Sequence, residues 1–227
     1  MTTSVHQQPE VTDEFQALDK RFQTAPASEI VAWAHDRFGD GLALAASFQD
    51  VVLIDIATKV APGLEVIFLD TQYHFAETLW FVEEVRRRYD LNLTVTQPAI
   101  DPDNRWQSNV AGCCAIRKIE PLNRALVGKR AWLTALRRVE APTRANAPIV
   151  SHDAERDLVK LNPLAAWSDL DVAGYIADHD LPVHPLAERG YPSIGCWPCT
   201  RPVAEGEDPR AGRWSGSTKT ECGLHGS

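Results

Sequence analysis

No uninterrupted apolar run in this 227-residue chain approaches the roughly 20 residues that a membrane-spanning helix needs, so no membrane partner is expected. The opening stretch, MTTSVHQQPEVTDEF, has neither the basic lead nor the apolar core of a secretory signal. Positive charge is not in excess either. The formal net charge is −8, which argues against a general nucleic-acid or anionic-membrane partner. Internal repeats and low-complexity tracts are missing. Cysteine is scarce, with five in the chain. These absences make a reducing cytoplasm the default location, and there five cysteines are not expected to form structural disulfides. What remains is ordinary globular material, 44% hydrophobic and 24% charged. It suffices for one sizeable core and a small appendage, but not for two full domains.

Residues 1–27 read as a weakly ordered lead-in, 28–200 as one α/β domain and 201–227 as a mobile C-terminal arm. A helix is expected over 28–38 with Ser28 as its N-cap. "LALAAS", "EVIFLD", "NLTVT" and "AWLTAL" read as strands, the first two as continuous apolar runs of the kind buried in parallel sheets. "LVKLNPL" reads as a shorter strand. Between them, helical spacing marks "DVVLIDIATKV", 74–89 and 115–126. A further helix over 168–178 is opened by Ser168, with Asp171 three residues on. This alternation predicts a mostly parallel sheet with helices on both faces and ligand sites at the C-terminal ends of its strands. Those ends are "ASFQD", "LDTQYH" and "ALRR". The "ASFQD" loop occupies the place of a phosphate cradle, but lacks the glycines that let a backbone wrap a triphosphate.

Charge and cysteine are both concentrated. Between Ala115 and Arg144 lie eight basic residues against two acidic ones, Glu120 and Glu140. Such a run is usually a solvated helix face. Here it begins beside Cys113-Cys114 and passes through a strand, which points to a small anionic ligand. Cys196-x-x-Cys199 suits zinc, an iron–sulfur centre or a redox dithiol, although no thioredoxin-type strand–helix unit surrounds it. With the adjacent pair it makes four thiolates, which suit zinc or a 4Fe–4S cluster. Neighbouring side chains diverge, so Cys113 and Cys114 together on one zinc ion would be strained. Cys222 is left over, near the end of a tail rich in Gly, Pro, Ser and charge.

The segments "GCCAIRKIEPL", "TALRRVEAPTR", "GYPSIGCWPCTRP", "DPRAGRW" and "KTECGLH" occur in that order. Together they resemble assimilatory adenylyl-sulfate (APS) reductases of the bacterial iron–sulfur type, over most of the chain. The resemblance implies an adenine-nucleotide alpha-hydrolase-like fold, a 4Fe–4S cluster on Cys113, Cys114, Cys196 and Cys199, and APS as substrate. It implies that Cys222 attacks the sulfur of APS, expelling AMP and leaving a thiosulfonate. Thioredoxin or a similar dithiol then frees sulfite, within sulfate assimilation toward cysteine. The cluster in such enzymes is needed for activity without being the electron source. The matching substrate-binding residues are Lys118, Arg144, Arg210 and Arg213, with Ser47 and Leu69 at the nucleotide. Arg137 and Arg138 follow a strand end as further contacts, and His225 stands three residues after Cys222. The family often has glycine where this chain has Gln72 and Ala135, and Asp-Gln-Ser where it has Val139-Glu140-Ala141.

Other readings differ in what they predict. A reductase that also accepts the 3′-phosphorylated substrate (PAPS) would need a basic pocket for that phosphate. A zinc-stabilised nucleotide-binding regulator would be colourless and indifferent to the loss of Cys222. A homo-oligomer is left open.

Overall fold

The computed structural model describes residues 8–214, 219, 221, 223 and 224, with side chains from residue 13 onward. Among these residues six strands form one sheet: β1 (Leu42–Ala46), β2 (Glu65–Leu69), β3 (Leu93–Thr96), β4 (Ala131–Thr134), β5 (Val150–Asp153) and β6 (Leu158–Leu161), in the order β3-β2-β1-β4-β6-β5. Neighbours pair in parallel except β5, which runs antiparallel to β6. The sheet is therefore mostly parallel, as the alternating pattern predicts.

Strand side chains alternate between two faces, and both faces are covered. Leu42, Leu44, Val66, Phe68, Ala131 and Leu133 belong to the larger core. That core includes residues of α2 (Ala27–Phe38), α3 (Val52–Val60) and α4 (Ala76–Tyr89). The intervening Ala43, Ile67 and Trp132 join a smaller cluster with Leu122 of α7 (Glu120–Ala125) and Leu126 just after it. The last long helix, α8 (Asp169–Asp178), opens on a capping box. The Ser168 hydroxyl accepts from the Asp171 amide at 3.2 Å, and the Ser168 amide donates to the Asp171 carboxylate at 2.7 Å. No helix among the described residues is long and apolar enough to cross a membrane.

Four expectations are corrected. The lead-in contains helix α1 (Gln8–Phe22), whose Phe15 and Phe22 are buried in the larger core. Its Asp19 carboxylate accepts from the Ile149 amide at 2.5 Å. Helix α2 starts at Ala27 after Pro26, so Ser28 lies inside it and is not its N-cap. Helix α4 starts at Ala76, leaving His74 and Phe75 in the preceding loop. The helix expected over 115–126 is broken into α6 (Val110–Cys114), a π-helical turn over Ala115–Ile119, and α7. A short helix, α5 (Arg105–Ser108), precedes them.

The arm boundary also moves. Residues 201–214 fold back on the Cys196–Cys199 turn. The Arg201 amide donates to Gly212 O at 3.0 Å, and the Trp214 amide donates to Cys199 O at 2.9 Å. Trp214 is 5% exposed, so the ordered knuckle runs to that residue.

Candidate active site

Strand β1 is followed in the chain by β2 on one side, while β4 flanks it on the other. The crevice at the C-terminal ends of these strands is thus the topological switch point where α/β sheets take ligands. A cavity of about 180 Å³ lies there. The six residues expected to bind substrate, Ser47, Leu69, Lys118, Arg144, Arg210 and Arg213, all line it. They come from five separate parts of the chain.

The loop after β1 closes one end without glycine. Phe48 takes a left-handed φ of 58° and is buried, with its ring edge-on to Phe68 at 5.4 Å. The Gln49 side chain accepts from the Ile194 amide at 3.0 Å, tying this loop to the knuckle. The Asp50 carboxylate accepts from the Val52 amide at 3.1 Å at the start of α3. Burial raises the Asp50 carboxyl above its usual range, against the pull of that amide and of Arg137.

The cations are held by specific partners. Arg213 donates from Nη1 to Ser193 Oγ at 3.0 Å and lies over the Trp214 ring at 4.6 Å. A Cβ on residue 195 would overlap Arg213 Nη2, so the close approach requires Gly195. Arg144 donates from Nε and Nη2 to the two carboxylate oxygens of Glu221, each at 2.7 Å, and from Nη1 to Glu140. Arg210 Nη2 reaches Glu221 Oε2 at 3.5 Å. Arg137 and Arg138 do not line the cavity. Arg137 pairs with Asp169 at 2.7 Å, and Arg138 with the Ala147 carbonyl and the Gln23 side chain.

A second, smaller cavity is lined by Cys113, Cys114, Cys196 and Cys199. Cys113 and Cys114 end α6, which is capped by Asn109 accepting from the Gly112 amide at 2.8 Å. Cys196 and Cys199 flank a tight turn docked by the Trp197 amide onto Tyr73 O at 2.8 Å. The Thr71 hydroxyl lies 3.3 Å from Cys196 Sγ. Burial, then the charges of neighbouring thiolates, push the Cys113 thiol upward and the Cys199 thiol to about 11. Gathered thiolates thus oppose one another's ionisation, and an all-sulfur set of this kind calls for a soft cationic centre. Among the described residues no group of three or more His, Cys, Asp or Glu side chains is arranged to hold a single metal ion. Lys118, Arg213 and Trp214 line both cavities and form their common wall.

Arg117, which also lines the four-cysteine cavity, is 2% exposed. Its guanidinium sits over the Tyr73 ring at 4.5 Å and donates to Gln72 Oε1 at 2.6 Å and Asp101 O at 2.7 Å. Gln72 stands where a glycine is common in the family resembled, and it adopts φ 64°, the left-handed conformation that favours glycine.

A model of the phosphoadenosine phosphosulfate reductase domain matches residues 41–202. The adenosine 5′-phosphosulfate reductase of Rhodococcus opacus is 46% identical over 221 residues, covering 89% of this chain and 90% of that one. Its namesake from Mycobacterium tuberculosis H37Rv is 47% identical over 228 residues, with the same coverage. The chain belongs to the phosphoadenosine phosphosulfate reductase domain family. Among solved structures, the phosphoadenylyl-sulfate reductase of Candida auris in a phosphate complex superposes with a TM-score of 0.74 at 27% identity, covering 88% of this chain and all of that one.

Within this reductase-domain frame, the six substrate-binding candidates share one cavity and the four metal-ligating candidates share the other. Cys222 and His225 lie outside the described residues. Sequence reasoning missed Thr71, Arg117, Asp50 and Glu221 and marked Gln72 only as a departure from the family's glycine. Of these, Glu221 carries a signal that could have found it, since it stands directly before Cys222 in the "KTECGLH" segment.

Proposed function

We propose that this chain is an adenylyl-sulfate reductase. It would convert APS to sulfite and AMP through a thiosulfonate on Cys222, with thioredoxin or a similar dithiol as reductant. The observation that carries this reading is the common wall: Lys118, Arg213 and Trp214 line both the cavity at the sheet's switch point and the four-cysteine cavity. The 46–47% identity is to reductases named for APS, whereas the PAPS reductase of Candida auris is 27% identical, which favours APS as substrate.

Phosphosulfate is anionic at both ends, and Lys118, Arg210 and Arg213 supply the positive charge and donors to hold it; Arg144, expected from the sequence to bind substrate, is engaged instead by Glu140 and Glu221. In the reaction the Cys222 thiolate attacks the sulfate sulfur. A sulfur–sulfur bond forms, the sulfur–oxygen bond to phosphate breaks, and AMP leaves with the electron pair. The cationic wall offsets the charge that develops on the departing phosphate. A thiolate of the dithiol then attacks Cys222 Sγ and displaces sulfite, and its second thiol resolves the mixed disulfide. That dithiol supplies the two electrons. Cys113, Cys114, Cys196 and Cys199 are assigned to a 4Fe–4S cluster, which when bound would neutralise part of the charge of the gathered thiolates and tie α6 to the Cys196–Cys199 turn beside Lys118. The reaction belongs to cytoplasmic sulfate assimilation toward cysteine.

The test is anaerobic incubation with APS and no reductant, followed by intact and peptide mass spectrometry. A sulfonate-sized gain on the Cys222 peptide, removed by thioredoxin, is the expected result. No adduct from protein with full iron content overturns the mechanism. Parallel assays with APS and PAPS test the substrate, and equal rates on both would remove the stated specificity.

A further inference from the structure

The most basic wall of the cavity faces a residue of the chain's own arm. Arg144 commits Nε and Nη2 to the two oxygens of Glu221 in a fork-to-fork pair, both bonds 2.7 Å. Thr143 Oγ1 donates to Glu221 Oε1 at 3.2 Å, and Arg210 approaches Oε2 at 3.5 Å. Four donors from two segments thus fix one carboxylate. Burial works to raise the Glu221 carboxyl, but the hydrogen bonds and charge of Arg144 and the charge of Arg210 hold it below its usual range.

A second contact seats the arm on another wall. Leu224 packs against the smaller hydrophobic cluster that contains Leu122 and Trp132. Gly223 turns the chain at φ 82°, where a Cβ would stand 3.3 Å from Ile119 Cδ1. Glu221 and Leu224 both line the substrate cavity, and in the sequence they bracket Cys222.

We infer that Glu221 is a positioning residue. Its clamp on Arg144 sets how far the following Cys222 reaches toward the sulfur of a phosphosulfate held by Lys118, Arg210 and Arg213. This rests on the assignment of Cys222 as nucleophile. Arg144 then acts on the reaction through the arm, and its charge is met by Glu140 and Glu221 rather than by the ligand. The clamp belongs to the attack step. Its loss should slow adduct formation without weakening the nucleotide's hold.

The experiment compares parent, Glu221→Gln and Glu221→Asp enzymes, full-length and with equal iron content. The readouts are the single-turnover rate of the Cys222 adduct by rapid-quench mass spectrometry and AMP affinity by calorimetry. Glu221→Gln keeps the size and loses the charged pair, so the adduct rate should fall about 10- to 100-fold, the value of a charge-assisted hydrogen bond. The final extent of adduct, the AMP affinity and KM should stay unchanged while kcat falls. Glu221→Asp should recover part of the rate. Arg144→Lys retains charge but loses the fork, and should be slow likewise. An adduct rate in Glu221→Gln equal to the parent's overturns the proposal. So does tighter AMP binding at unchanged rate, which would make the carboxylate an occupant of the anion seat. If the parent itself forms no adduct, the Cys222 assignment falls and takes this proposal with it.

Discussion

Gln72 offers a direct contest between backbone strain and a buried hydrogen bond. Its φ of 64° places a Cβ-bearing residue in the left-handed region, at a cost of roughly 1 kcal/mol or somewhat more. Its side-chain oxygen accepts from Arg117 at 2.6 Å, and Arg117 is 2% exposed. A hydrogen bond to a buried charge contributes about 1.5–3 kcal/mol. Gln72→Ala keeps the strain and deletes the bond, so it loses that full amount. Gln72→Gly also deletes the bond, but it relieves about 1–2 kcal/mol of strain against about 0.4–1 kcal/mol of extra unfolded-chain entropy, so it should be milder by up to about 1 kcal/mol. For a domain of this size each kcal/mol moves Tm by about 2–4 °C. Anaerobic calorimetry on cluster-loaded protein should therefore rank the parent highest, Gln72→Gly next and Gln72→Ala lowest, with the alanine variant about 3–12 °C below the parent. A glycine variant as stable as the parent would show that the Arg117 contact is worth no more than the strain. An alanine variant equal to the glycine variant would show that the strain at residue 72 is no larger than the entropy cost of the glycine.

Cys222→Ser should retain brown colour and AMP binding while releasing no sulfite, and sulfite release by that variant would remove Cys222 from the chemistry. Cys114→Ala should lose iron, visible absorbance and activity together; an active, iron-free variant would contradict the cluster assignment. Lys118→Ala should lower kcat about 100-fold or more, as removal of a transition-state donor does, with Tm unchanged; an equal drop in Tm would mark Lys118 as structural. Burial holds His184 neutral, with its pKa pushed down to about 4. Its Nδ1 accepts from the Leu186 amide at 3.1 Å, a bond that protonation destroys. The unfolded value is near 6.5, so this contribution is complete above that pH and is lost as pH falls toward 4. Urea midpoints measured between those limits should fall in the parent and fall less in His184→Gln; parallel curves would refute the assignment.

The strands nearest the site were legible because burial on both faces forces unbroken apolar runs, as in "LALAAS" and "EVIFLD". Strand β5 was not, because only Val150 of Val150–Asp153 is fully buried and the strand pairs at the sheet's edge. Helix α1 escaped for a different reason. Phe15, Leu18 and Phe22 show helical spacing, but the partners that stabilise the helix, including Ile149 and Val150, lie far along the chain. The π-turn after Cys114 was invisible because Ala115–Ile119 contains nothing that distinguishes it locally from an α-helix. In the site, the cysteines and cations could be read from their motifs. The pairing of those cations could not, since that of Arg144 with Glu221 is decided by tertiary structure alone.

The two cysteine pairs also set a timetable for synthesis. A ribosome delivers Cys113 and Cys114 with β1, β2 and β3 already made, so much of the parallel sheet can assemble while only half of the thiol set exists. The other half arrives only after β4, β5, β6 and α8. A nascent chain is therefore a two-thiol protein for much of its emergence. Any centre built on all four cysteines is then completed only after the whole sheet has been made, and truncation before residue 196 would forfeit it whatever the state of the sheet.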